Sequence, residues 1–383
     1  MKHLILTSAI VVALAAPIGA ETLTIGTATA QTGALAYADV PTMQGMKLAI
    51  EEINATGGID GATKIVLLEK DVRSDPAQTS IAAQELADAG VSVIVLPGDS
   101  DPALAAIGVV SSAEIPAIST VASSPTLPEI GGDYMFSNFP GDNVQAAVSA
   151  KWAWDEGYKT AWIVYSPDTQ YTTMPLYFRD VFEKLGGEML GESTNTIGQQ
   201  DFSAIATTIA AQEPQPDLVM TSAYEPDFPS MLLALRAAGV TSQIIGSDGI
   251  DSPTTFSLGT VGEDVVFTTA GFATKGSPLE AFDKAFEQKY GNAPESIYSA
   301  VGYDLIKVIE AAVIEAGSTD PKKIRDAMAD LENVQGATGL ITYRGTNGMP
   351  VRQVSLIRVK DGGRELVGQP SPDADLIPAP RMQ

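Results

Sequence analysis

Val91-Ser92-Val93-Ile94-Val95-Leu96 is followed by Pro97-Gly98-Asp99-Ser100-Asp101-Pro102. The first six residues are nearly all apolar, as a central parallel strand covered on both faces must be. The next six are Pro, Gly and small polar residues, the chemistry of a loop. A buried strand that runs straight into a polar loop is the repeating unit of an open α/β sheet. Such sheets bind ligands beyond the carboxyl ends of their strands.

The same alternation continues outward. Upstream, Thr22 to Thr27 reads as a strand, and Met43, Met46, Ile50 and Ile53 recur at helical spacing before Gly57-Gly58 stops the helix. Ile65 to Leu68 reads as a buried strand, and Ile81, Leu86 and Ala89 mark a helix. Downstream, Ile115 to Ile118 follows a short helix. A second series starts near Asp142. It runs through a helix to about Glu156, a strand at Thr160 to Tyr165, a helix over Met174 to Leu185 and a strand at Asp217 to Met220. A helix carrying Met231, Leu232 and Leu235 and a strand at Gln243 to Ile245 complete it. Two series of alternating elements predict two doubly wound, mostly parallel lobes joined by a hinge. The last third is mixed. Phe282 to Tyr290 and Ala300 to Ala316 read as helices, and Asp320-Pro321 opens another. Ile341 to Tyr343 and Gln353 to Val359 read as strands of one closing antiparallel element that can return to either lobe.

The N-terminus has a basic start at Lys2, an apolar run from Leu4 to Ala16, and small residues up to Ala20. That is a secretory signal pattern, and the apolar run is too short to span a bilayer. The remaining stretch, roughly 360 residues, exceeds one comfortable core. The expected division is a signal peptide over 1–20, lobe one over 21–139 plus 269–345, lobe two over 140–268 plus 346–372, and a tail over 373–383. No repeat of 20–50 residues is visible, and only the Pro-containing tail after Gly368 is compositionally biased.

Composition narrows the chemistry. The chain has no cysteine and one histidine, His3, inside the expected signal. Ser-His-Asp and Cys-His catalysis and the usual zinc sites therefore lack their residues in the mature chain. Carboxylate-only chemistry and hard-cation sites stay open, but Asp99-x-Asp101 is no EF-hand, since position six falls on Leu104 and position twelve on Val110. No G-x-G-x-x-G follows a strand and no Walker A sequence occurs. Lys+Arg is 23 against Asp+Glu 47, a formal net charge of −24. Such a surface repels nucleic acid and anionic headgroups.

Each strand-end loop admits two readings. Ser119-Thr120-Val121-Ala122-Ser123-Ser124-Pro125 can hold a carboxylate with hydroxyls and backbone N–H groups, or merely cap a helix. Tyr171, in Asp168-Thr169-Gln170-Tyr171, and Tyr224, in Ser222-Ala223-Tyr224, can face a ligand or pack on their own lobe. Asp248, in Gly246-Ser247-Asp248-Gly249, can pair with a ligand ammonium or cap the next helix.

Taken together these segments resemble a family. They are Thr32-Gly33 with Tyr37, Gln44-Gly45, Ile53-Asn54-Ala55-Thr56-Gly57-Gly58-Ile59, Ile118 to Pro125, Asp142-x-x-Gln145, Asp168-x-x-Tyr171, Gly246 to Gly249, and Tyr303-Asp304. From Leu23 to about Val367 the chain is similar to the type I periplasmic binding proteins of the branched-chain amino acid (leucine/isoleucine/valine-binding) family. The resemblance implies a periplasmic, unanchored, monomeric substrate-binding component of an ABC importer. It would close its lobes on a small polar ligand, most simply an amino acid of the branched-chain or aliphatic type, and present it to a membrane permease. No catalysis, cofactor, metal or nucleic acid is implied. The same resemblance admits a ligand-sensing protein for a separate receptor, or an importer component for an amide, an amine, or an aromatic or organic acid.

By position, the resemblance puts a ligand carboxylate on the amides of Val121, Ala122 and Ser123 and the Ser123 hydroxyl, with help from the Asp99-Ser100 loop. It puts an ammonium on Asp248 and Tyr224, closes Tyr171 over the ligand, and lines the side-chain pocket with Tyr37 and, more loosely, Phe272. Two positions depart from the pattern. Asp99 stands where a serine is expected, and Thr172 where a glycine is. An ionised Asp99 facing the cleft would repel a carboxylate. Either Ser100 takes the role, or the ligand is not a simple α-amino acid.

Overall fold

The structure, a computed structural model, describes residues 21–167 and 173–381. The expected signal peptide over 1–20, the Asp168-x-x-Tyr171 loop with Thr172, and the last two residues of the tail lie outside the described residues.

Two sheets organise the chain. The first contains β1 (Thr22–Thr29), β2 (Lys64–Asp71), β3 (Val93–Leu96), β4 (Ala117–Ser119) and β5 (Met135–Ser137), in the order β2-β1-β3-β4-β5 with every pair parallel. The second contains β6 (Thr160–Tyr165), β7 (Glu188–Thr194), β8 (Leu218–Thr221), β9 (Gln243–Gly246) and β10 (Val266–Thr269) as its parallel part. β11 (Val334–Gln335), β12 (Leu340–Thr342) and β13 (Val351–Arg352) form a small separate antiparallel sheet. β14 (Ser355–Lys360) and β15 (Gly363–Gly368) join the second sheet antiparallel, beside β10. The fold is α/β, with two lobes each built on its own sheet.

β3 and β8 are buried at every position, as an apolar run flanked by neighbours on both sides requires. Two sequence expectations change here. Ile65 to Leu68 is not a buried strand: β2 is an edge strand of its sheet, and Val66 is 49% exposed. The closing strands do not form one element, because β12 belongs to the small sheet and β14 to lobe two.

One close helix crossing bears directly on the cleft. The helices Ala36–Ala55 and Tyr298–Ala316 meet backbone to backbone. A Cβ on Gly45 would lie 1.7 Å from the Ser299 carbonyl oxygen, and one on Gly302 would lie 2.0 Å from the Thr42 carbonyl oxygen. Only glycine fits either position. The crossing brings Tyr37 and Tyr298, each in the first turn of its helix, together at the strand ends.

Three segments pass between the sheets: after β5, after β10 and before β14. Two of them are tied by one buried ion pair. Arg352 meets Asp304 at 2.7 Å, donates to the Asn138 carbonyl, and reaches Thr338 Oγ1 at 2.6 Å. A buried pair of this kind fixes geometry more reliably than it adds stability.

Candidate ligand-binding site

The loops at the carboxyl ends of β1, β3 and β4 meet on a single carboxylate. Asp39, fully buried, accepts from Ala30 N–H at 2.7 Å, Gly98 N–H at 2.9 Å and Thr120 Oγ1–H at 2.7 Å. A Cβ on Gly98 would stand 2.5 Å from a Val121 methyl, so glycine is required where the two loops touch. Burial pushes Asp39 up to about 6, although these three bonds favour its charged form.

Asp99 and Ser100 follow directly. Asp99 accepts from Asp101 N–H at 2.9 Å as the cap of the short helix Ser100–Leu104. Burial, with the charges of Asp101 and Asp39 beside it, pushes Asp99 up to about 7. Ser100 is fully buried and its Oγ has no hydrogen-bond partner. Val121, Ala122 and Ser123 are also buried. Ala122 N–H donates to Ser119 Oγ at 3.2 Å, and the Ser123 hydroxyl bonds the Asp142 carboxylate. Ser123 O accepts from Asp142 N–H at 2.7 Å.

Lobe two supplies Asp142, Gln145, Tyr224 and Asp248. Asp142 and Gln145 lie three residues apart on the helix Asp142–Asp155 and share one buried face. Asp142 also accepts from Thr173 Oγ1–H at 2.8 Å, and burial pushes it up to about 6. Gln145 bonds Asp248, accepts from Thr268 Oγ1–H at 2.7 Å and donates to the Pro140 carbonyl at 3.0 Å. Burial, then the charge of Asp142, pushes Asp248 up to about 7.

The lobes touch. Tyr37 of lobe one stacks on Tyr224 of lobe two, ring centroids 5.9 Å apart at 22°. Tyr298 packs edge-on to Tyr37 at 6.2 Å, and its hydroxyl donates to the Asp248 carbonyl at 3.0 Å and carboxylate at 3.3 Å. Burial, with the nearby charges of Asp99, Asp227 and Asp101, holds the Tyr224 hydroxyl well above its ordinary range.

Of the residues expected from sequence, Asp99, Ser100, Val121, Ala122, Ser123, Tyr224 and Asp248 follow the carboxyl ends of β3, β4, β8 and β9, Tyr37 lies in the first turn of the helix after β1, and Tyr171 is outside the described residues. Phe272 lines a cavity of about 400 Å³ with Asp251, Phe282 and Arg364. Sequence reasoning gave no role to Asp39, Asp142, Gln145 or Tyr298. Asp142 and Gln145 do leave a trace, since Asp142-x-x-Gln145 is one of the segments that carry the family resemblance. Among the described residues, no group of three or more His, Cys, Asp or Glu is placed to hold a metal ion.

Two sheet-based lobes whose strand-end loops converge on a buried cluster of aromatic and acidic side chains define a two-lobed α/β binding fold. The chain belongs to the periplasmic binding protein family, whose model matches residues 22–364. It is 27% identical over 361 residues to the Leu/Ile/Val-binding protein BraC3 of Rhizobium johnstonii, covering 93% of this chain and 97% of that one. A crystal structure of a leucine-binding protein from Thermotoga maritima, 25% identical, superposes with a TM-score of 0.83 over 91% of this chain and 99% of the other. A solute-binding protein from R. palustris in complex with benzoate shares the fold at 19% identity, with a TM-score of 0.80 over 92% and 97% of the two chains. No helix among the described residues is long and apolar enough to cross a membrane.

Proposed function

We propose that this chain is the periplasmic solute-binding component of an ABC importer, closing its two lobes on a small amine-bearing solute of the amino-acid class. The observation that carries the reading is the Tyr37–Tyr224 stack beside the Tyr298–Asp248 hydrogen bond, two contacts by which binding-loop residues of both lobes meet. A solute that touches both sets of loops favours the closed form by its differential contacts, and a permease reads that form. Asp248 holds the amine against the tyrosine faces, as a desolvated carboxylate and π-systems do. No residue makes or breaks a covalent bond. The relatives' names make aliphatic amino acids and their derivatives the first compounds to try.

The test is a thermal-shift screen of amino acids and amines followed by calorimetry. A solute at 100 times its dissociation constant stabilises by about 2.7 kcal/mol. Asp248→Ala is expected to remove at least ~2 kcal/mol of that solute's binding energy, as breaking a desolvated charge pair does. Unchanged affinity in Asp248→Ala would take the amine away from this carboxylate.

A further inference from the structure

We infer that the solute is an organic cation whose lobe-one end carries a hydrogen-bond donor, such as an amide or amine, where an α-amino acid carries its carboxylate. Asp99 is the residue that selects for it. The inference rests on the solute-binding reading above and narrows the amino-acid class to its cationic derivatives.

Two of the groups that the resemblance assigns to a carboxylate, the Ala122 amide and the Ser123 hydroxyl, are engaged within the protein. Ala122 N–H is held by Ser119 Oγ at 3.2 Å. The Ser123 hydroxyl is held by Asp142, a carboxylate of the opposite lobe. The neighbouring loop replaces the expected serine by Asp99, only 6% exposed. Its helix cap uses one carboxylate oxygen, Oδ1, with Asp101 N–H. The charged groups that act on Asp99 are Asp101 and Asp39, both negative. An incoming carboxylate would meet an acid backed by two more acids, with two of its expected donors committed elsewhere.

The same surroundings suit a cation. Ser100 Oγ, buried and without a partner beside Asp99, can accept from an N–H group. Tyr37 and Tyr224, stacked on each other where the lobes touch, add aromatic surface that attracts a cation. On the lobe-two side Asp142 reaches Ser123 and also acts on Asp248, so negative charge continues from one set of loops to the other. These acids are spread over both lobes, and among the described residues no three His, Cys, Asp or Glu are grouped to hold a metal ion. An extended organic cation fits that spread better than a metal ion does.

The experiment compares matched pairs, each an α-amino acid and its α-carboxamide, with small, aliphatic and aromatic side chains, against the full protein by thermal shift and calorimetry. At least one amide is expected to bind tenfold or more tighter than its parent acid. Asp99→Ser should shrink that ratio at least tenfold, and Asp99→Asn, nearly isosteric and still able to cap the helix, should shrink it in the same direction. Selectivity between paired ligands, unlike melting temperature, is not moved by a merely structural role. An amino acid that binds as well as or better than its amide overturns the inference and leaves the solute-binding reading standing. So does an amide preference that survives both variants. If no compound of either set binds, both readings fall.

Discussion

The two lobes prepare their halves of the cleft differently. In lobe one the binding loops are organised before anything arrives, because Asp39 ties the ends of β1, β3 and β4 through three hydrogen bonds within that lobe. In lobe two, Gln145 steadies Asp248 from within, but Tyr224 and Asp248 also take contacts across the gap, on Tyr37 and Tyr298. Lobe one is a platform and lobe two is a cover. A solute can settle on the first without rearranging it, and the free energy of closure is decided by what the second gains on arrival.

The largest expected effect comes from breaking the platform. Asp39→Ala would leave Ala30 N–H, Gly98 N–H and the Thr120 hydroxyl without their shared acceptor. Each buried group left unsatisfied costs about 1–3 kcal/mol, partly offset by removing a poorly solvated acid. Urea unfolding should show a loss of about 3 kcal/mol, with solute affinity falling too because both loops slacken. Intact affinity in a destabilised protein would mean that the loops hold their shape without Asp39, and the contrast between the lobes would fail.

The sequence displayed the cover more readily than the platform. Tyr224 and Asp248 are conspicuous because each comes just after a short apolar strand. Asp39 sits inside a helix, far along the chain from Gly98 and Thr120, and no local pattern sets it apart from a surface acid. Tyr298 was hidden for a related reason: it reaches the cleft only because Gly45 and Gly302 let two distant helices touch. The alternating series made the α/β class legible. β5, β7, β10, β11, β13 and β15 escaped the strand reading, β5 and β10 because their three or four residues include Ser or Thr and make no apolar run like that of β3, β11 and β13 because they are two residues long, and β7 and β15 because they are half-exposed edge strands with little apolar character. β14 and β12 were merged because neighbouring strands in sequence usually pair, whereas here one closes a small sheet and the other returns to lobe two.

A smaller effect comes from pH, which acts on both lobes at once. Asp39 and Asp142 are pushed up to about 6, and Asp99 and Asp248 to about 7, by burial. All four lie above the ordinary value of 3.8, so the folded protein binds protons that the unfolded chain releases. Stability is therefore lost as pH rises through the folded values and regained as it falls toward the unfolded one. Lowering pH from about 8 to about 5 should raise stability by about 2 kcal/mol or more, in the same direction as relief of the acidic surface. Asp71 and Asp217 are held below their ordinary value, so their contribution is lost only at still lower pH. A melting temperature flat across that range would mean that these acids meet water, with the cover standing open.

The finest test removes one oxygen atom from the seam. Tyr298→Phe keeps the ring against Tyr37 and Phe139 but deletes the hydroxyl that donates to Asp248. One net hydrogen bond is worth about 1 kcal/mol. Tyr298 belongs to lobe one and its partner to lobe two, so the loss should fall on closure. Solute affinity should drop about fivefold, and small-angle scattering of the solute-free protein should show a more extended average, with the unfolding midpoint nearly unchanged. If the midpoint falls by as much as in Asp39→Ala, the hydroxyl supports the fold of lobe one, and the platform extends to the residue that greets the cover.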